Sequence, residues 1–132
     1  MKATKLDLTL LDLVRVDKPK NLVPPEIMDM LPRVGKVVGF DGDTVYLDFV
    51  DFGFMLDDVS PILLTEEILK KNGFKDGQFF TELYIQGWHV ISDAHNLCME
   101  CERGWHMNIP CRCLHELQHA FNLVGINMDF AV

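Results

Sequence analysis

Residues 111–127 read CRCLHELQHAFNLVGIN, and His115-Glu116-Leu117-Gln118-His119 within them spells H-E-x-x-H. On a helix, His115 and His119 stand one turn apart and can share a zinc ion. Glu116 would lie beside them as general base, which is the chemistry of a zinc-dependent hydrolase. Just upstream, Cys98, Cys101, Cys111 and Cys113 place four cysteines within sixteen residues. Four thiolates are the ligand set of a structural zinc site, and Cys-x-x-Cys is its usual half-site. The sequence thus raises two metal readings, one catalytic and one structural.

Spacing weakens both. The long form of the protease motif places a third histidine six residues past the second, where Gly125 stands. The other common form takes a downstream glutamate, and none follows Glu116. Asp129, or an upstream His89, His95 or His106, would have to serve. On a 3.6-residue wheel Cys113, Leu114, Leu117, Ala120, Phe121 and Val124 form an apolar stripe. His115 and His119 fall opposite it with Asn122, as expected for groups facing water, and Glu116 is expected to face solvent too. The cysteines meet a similar objection. Leu97, Met99 and Cys101 alternate with Cys98, Glu100 and Glu102, and residues three apart on a strand point to opposite faces. Cys98 and Cys101 should therefore diverge, and the four thiols read as small hydrophobes.

Lesser candidates carry less. Asp41, Asp43, Asp48, Asp51, Asp57 and Asp58 lack the D-x-D-x-D-G loop and closing glutamate of a calcium site; they read as a solvated acidic edge. No cysteine has a paired base for nucleophilic catalysis. Trp88 and Trp105 read as core or cross-strand residues.

The elements that would hold these groups are mostly short strands. "DLVRVD" (12–17) alternates as a half-buried strand. "KPKNLVPPEIMDMLP" (18–32) has four prolines in fifteen residues and reads as a loop, with one helical turn begun by Pro25. "RVGKVVGF" and "TVYLDFV" flank an Asp-Gly turn as a hairpin, with Val45, Leu47 and Phe49 on one face. Another extended piece ends at Pro61. In "LTEEILKKNGF" Thr65 is the N-cap of a helix. Glu66 and Glu67 occupy its first turn, Lys70 and Lys71 its last, and Gly73 its C′ position. Two hairpins follow, turning at Gln86-Gly87 and Arg103-Gly104. The last helix is opened by Pro110 and ended by Gly125.

Composition sets the outer bounds. The chain has 132 residues, 48% hydrophobic and 24% charged, enough for a real core. Its net charge is −8. Residues 1–60 carry 7 basic and 11 acidic groups, and residues 61–132 carry 5 and 9, so neither half offers a basic face for phosphates. Nucleic acid is excluded as an expected partner. No apolar run reaches the ~18 residues of a membrane span, and "MKATKLDLTLL" lacks a signal peptide's apolar centre. The chain reads as cytoplasmic, where cysteines stay reduced.

"SPILLTEEILKKNGF" (60–74) followed by "IPCRCLHELQHAFNLVGI" (109–126) resembles short uncharacterised proteins of phages and prophages in gut Bacteroides-type bacteria. Those carry P-I-P-L-T-x-E-x-L-x-x-x-G-F in mid-chain and H-[EQ]-L-Q-[HN]-x-x-x-x-x-G-I near the C-terminus, after an SH3-like segment. The likeness spans roughly residues 30–132. Leu63 departs from it where the pattern has proline, and the proline-rich loop is longer here. Members with glutamine at the position of Glu116 and asparagine at that of His119 imply a helix that packs, not one that cuts.

The combined expectation is an α+β fold. Residues 1–60 would form an SH3-like small β-barrel. Residues 61–132 would add a short helix, antiparallel hairpins and a C-terminal amphipathic helix packed on the sheet. The expected function is a non-enzymatic binding protein for a host protein, a phage protein or a small ligand. The alternatives are a zinc-dependent hydrolase using His115, Glu116 and His119, and a zinc-stabilised module using Cys98, Cys101, Cys111 and Cys113.

Overall fold

A computed structural model describes residues 12–17, 32–78 and 80–132. The chain divides into two compact units, Met1–Ile62 and Leu63–Val132. The proline-rich loop and the turn expected at Pro25 lie outside the described residues.

The first unit contains β1 (Leu13–Val16), β2 (Val34–Asp41), β3 (Thr44–Leu47), β4 (Gly53–Met55) and β5 (Val59–Pro61). A 3₁₀ turn over Leu56–Asp58 separates the last two. The strands form one antiparallel sheet in the order β4-β3-β2-β1-β5. Its core gathers Val14, Val16, Val37, Val45, Leu47, Phe54 and Val59, with Phe49, Val50 and Leu56 packed against it. The sequence pattern explains this burial: Val45 and Leu47 point inward and Phe49 is half-buried on their side. Gly42, at φ 59°, makes the Asp-Gly turn between β2 and β3. Gly35 serves a different need, since a Cβ there would stand 2.6 Å from the Phe49 ring.

The expected SH3-like barrel is not what forms. Among the described residues the sheet is open, and no closed barrel is present. Closure requires the outer strands to pair along their length at a fixed stagger. Here the outer strands, β4 and β5, are three residues each. A run of short strands in a sequence is equally compatible with an open sheet, and register, not strand count, decides between them.

The second unit is a five-stranded antiparallel meander of β6 (Lys75–Asp76), β7 (Thr81–Ile85), β8 (Trp88–Ser92), β9 (Asn96–Cys101) and β10 (His106–Pro110). It also holds α1 (Glu66–Lys71) and α2 (Leu114–Leu123). With two sheets and helices of 6 and 10 residues among the described residues, the fold is mostly β, not the expected α+β. Gln86 and Gly87, at φ 48° and 83°, form the two-residue turn of the β7–β8 hairpin.

α1 is capped as its sequence dictates, whereas α2 begins only at Leu114 after the N-cap Cys113, and Pro110, expected to open it, is instead the last residue of β10. Thr65 Oγ1 accepts the Ile68 N–H at 3.2 Å. At the other end of α1, Phe74 N donates to Leu69 O at 3.1 Å and Gly73 N to Lys70 O at 3.1 Å, with Gly73 at φ 91°. This is a Schellman closure, and it buries the Phe74 side chain. α2 closes the same way: Ile126 N donates to Phe121 O at 2.9 Å and Gly125 N to Asn122 O at 3.2 Å. The tail beyond it is strapped down. Asn72 Nδ2 donates to Ala131 O, and Asn72 Oδ1 accepts from Ala131 N, at 2.8 and 2.7 Å. Gln86 makes the same kind of two-way pair with Asn127. Among the described residues no helix is long and apolar enough to cross a membrane.

Candidate functional site

α2 carries the H-E-x-x-H residues, and its first turn commits Glu116. One carboxylate oxygen, Oε1, accepts the backbone N–H groups of Arg112 at 3.1 Å and Cys113 at 3.0 Å. Cys113 is the N-cap and Glu116 the N3 residue of a capping box. The carboxylate that a hydrolase would use as base thus satisfies donors that the helix start leaves open. It is half-buried, not the solvent-facing group expected.

The histidines depart from expectation as well. His115 is 4% exposed, buried beside Leu114 and Leu117, whereas His119 is half-buried. Their rings meet edge-on, centroids 5.6 Å apart at 72°. A wheel ranks positions by angle alone. At its first turn α2 emerges from Cys111–Cys113, whose two cysteines are buried and which bridges to Leu63 and accepts at Arg112 O from Leu64 N. Leu114 and His115 there are both buried. Val124, placed on the stripe by the wheel, is the C-cap and only half-buried.

The four cysteines are free thiols. On β9 Leu97 and Met99 are fully buried, Cys98 lies on the face opposite them, and Cys101 shares theirs. Cys111 and Cys113 are fully buried. Burial, then the charge of Glu116 and the neighbouring Cys113, pushes the Cys111 thiol up to about 12. The thiolate is the ligand and the nucleophile, so a thiol held neutral this strongly serves neither role readily. Among the described residues no group of three or more His, Cys, Asp or Glu side chains is placed to hold a metal ion.

Trp105, which the sequence reads as a core or cross-strand residue, is instead 73% exposed. β9 ends at Cys101 and β10 begins at His106, so Trp105 belongs to the tip. Alternation holds only while the pleat continues, and Cys101 N already closes the tip onto Trp105 O at 2.9 Å. Beside it a depression of about 470 Å³ is lined by Gln86, Gly87, Trp88, Glu102 and Val124 among others. Compared with known protein families, curated proteins and solved structures, the chain shows no match.

The most organised side-chain cluster on the meander is one that sequence reasoning missed. Tyr84, His89, Glu100 and His106 stand directly opposite one another across β7, β8, β9 and β10. The His89 ring lies flat on Tyr84, with centroids 4.2 Å apart and planes 4° from parallel. Its Nε2 is 2.9 Å from Glu82 Oε2 and its Nδ1 3.4 Å from Glu100 Oε1. The hydrogen bond to Glu82 raises the His89 pKa above its usual value; burial opposes it, and the hydrogen bond to Glu100 adds a smaller upward contribution. These residues are up to 24 positions apart in "TELYIQGWHVISDAHNLCMECERGWH". Only the strand register joins them. Tyr84 is 71% exposed, and a second depression of about 540 Å³ runs from it past Glu100 to Glu102.

Proposed function

We propose that the chain is a non-enzymatic interaction protein that binds a partner through the tips of the β7–β8 and β9–β10 hairpins. The observation that carries this reading is Trp105: a tryptophan 73% exposed at a hairpin tip, beside an apolar-lined depression. Exposed tryptophans of this kind anchor interfaces because they bury a large area with few rotatable bonds. The use of the Glu116 carboxylate to close the helix start supports the same reading over the hydrolase alternative.

The resemblance to phage and prophage proteins supports a host protein as the partner and the cytoplasm of the bacterial cell as the place. Four free thiols suit that reducing compartment. The test is affinity capture from host lysate with the wild-type chain and Trp105→Ala in parallel, followed by titration of the purified partner. A partner held by the wild type and lost from the variant is the expected result. Equal capture by both, or zinc-dependent hydrolysis abolished by Glu116→Gln, would overturn the reading.

A further inference from the structure

We infer that the partner presents an arginine-bearing cationic segment, which docks over Tyr84, Glu100, Glu102 and Trp105. The inference rests on the interaction reading above and adds the chemistry of the occupant. Two rings, Tyr84 at 71% and Trp105 at 73% exposed, stand on adjoining depressions that share Gln86, Gly87, Trp88, Cys101 and Glu102. The carboxylates of Glu100 and Glu102 line that surface, while Arg103 is the only lysine or arginine among the described lining residues. The chain as a whole carries −8. An anionic partner would be repelled along the whole approach, and a cationic one drawn in.

The face already holds a group of the required kind. Protonated His89 is a flat, delocalised cation, stacked on Tyr84 at 4.2 Å and bonded at its edges by Glu82 and Glu100. A guanidinium asks for the same two things, an aromatic surface for its plane and carboxylates at its rim. A lysine ammonium is compact and strongly hydrated and gains less from a ring face. Glu100 can take a second cation: its contact with His89 is the longer one at 3.4 Å, and its side chain is 58% exposed.

Occupancy should therefore depend on pH. The groups around His89 are Glu82 and Tyr84 on β7, Cys98 and Glu100 on β9, and His106 on β10, which faces Glu100. Glu102 and Arg103 stand at the tip. Protonated His89 competes with an arginine for Glu100. Binding tightens as pH rises and His89 loses its charge.

The experiment uses the full chain, ¹⁵N-labelled, and a hexapeptide of alternating glycine and arginine, with citrulline and glutamate versions as controls. The arginine peptide should shift the Trp105 indole and the amides of Tyr84, Glu100 and Glu102, more at about pH 8 than at about pH 6. The citrulline and glutamate peptides should not. Glu100→Gln and Glu102→Gln should each weaken binding about two- to five-fold, the effect of one exposed ion pair. The dispersion of their spectra reports that they remain folded. No shift with the arginine peptide, equal shifts with citrulline, or unchanged affinity in both glutamine variants would overturn the inference. A captured partner that needs Trp105 but is indifferent to Glu100→Gln and Glu102→Gln would overturn it while leaving the interaction reading intact. Failure to capture any Trp105-dependent partner would instead remove the interaction reading, whatever the peptides do.

Discussion

Glu116 Oε1 lies 3.0 Å from the backbone N–H of Cys113, three residues earlier, and 3.1 Å from that of Arg112. One carboxylate oxygen thereby closes the N-terminus of α2 in a motif whose letters suggest catalysis. A residue at N3 that meets the N-cap N–H contributes helix stability, and its negative charge complements the helix dipole there. Glu116→Ala should lower unfolding stability by about 0.5–2 kcal/mol. Glu116→Gln keeps an acceptor and should lose less. Thermal and urea unfolding of the two variants read this directly. A Glu116→Ala protein as stable as wild type would show that the cap contributes nothing.

The second prediction separates buried from exposed leucines on the same helix. Leu117 is fully buried and Leu123 is 79% exposed. Leu117→Ala should cost about 2–5 kcal/mol through lost burial and the cavity left behind. Leu123→Ala should stay within about 0.5 kcal/mol of wild type. Similar losses in both would mean that α2 turns a different side to the interior.

Where the sequence could be read and where it could not follows from range. α1 was legible to the residue: Thr65 before Glu66-Glu67, and Asn72-Gly73 closing it, are local signals acting over three or four positions. The Gln86-Gly87 hairpin was legible for the same reason. The barrel expectation failed because closure depends on the register and length of the outer strands, which composition does not reveal. His115 was misplaced because a helical wheel ranks positions by angle alone, and it cannot show that the chain at Leu63–Leu64, some fifty residues away, pairs with Arg112 and Cys113 at the helix start. The row Tyr84, His89, Glu100, His106 has no local signature at all. An alternating strand shows which residues share a face, but only pairing shows which ones meet.

The third prediction is a pH dependence. The folded-state pKa of His89 is raised above its usual 6.5, chiefly by Glu82. A base whose pKa is raised by folding binds its proton more tightly when folded. Its contribution is therefore complete below about 6.5 and fades as pH rises through the folded-state value. The stability difference between wild type and His89→Gln should be largest near pH 6 and shrink toward pH 8.5. Its size should be about 0.2–1 kcal/mol, as for other opposite-charge cross-strand pairs. Glu82→Gln should remove most of the pH dependence, because the Glu82 contact is the shorter one. A difference that grows with pH would refute the pairing.

The last prediction concerns the thiols. Cys98 and Cys101 are partly accessible, while Cys111 and Cys113 are fully buried. A thiol reagent near pH 8 attacks the thiolate and needs access to it, so two of the four cysteines should label in the native protein. The other two should wait for unfolding. Cys111, with its pKa pushed up to about 12, should be the slowest. The same shift has a consequence for stability. In the unfolded chain the thiol ionises near 9, while in the folded protein it stays neutral well above that. The unfolded state therefore sheds protons that the folded state keeps, and stability should fall as pH rises from about 9 toward 12. Cys111→Ala should flatten that fall. A zinc-stabilised module predicts the opposite labelling, with all four thiols protected together and released together by a chelator. If chelation changes the labelling of Cys98 and Cys101, their opposed placement on β9 is wrong.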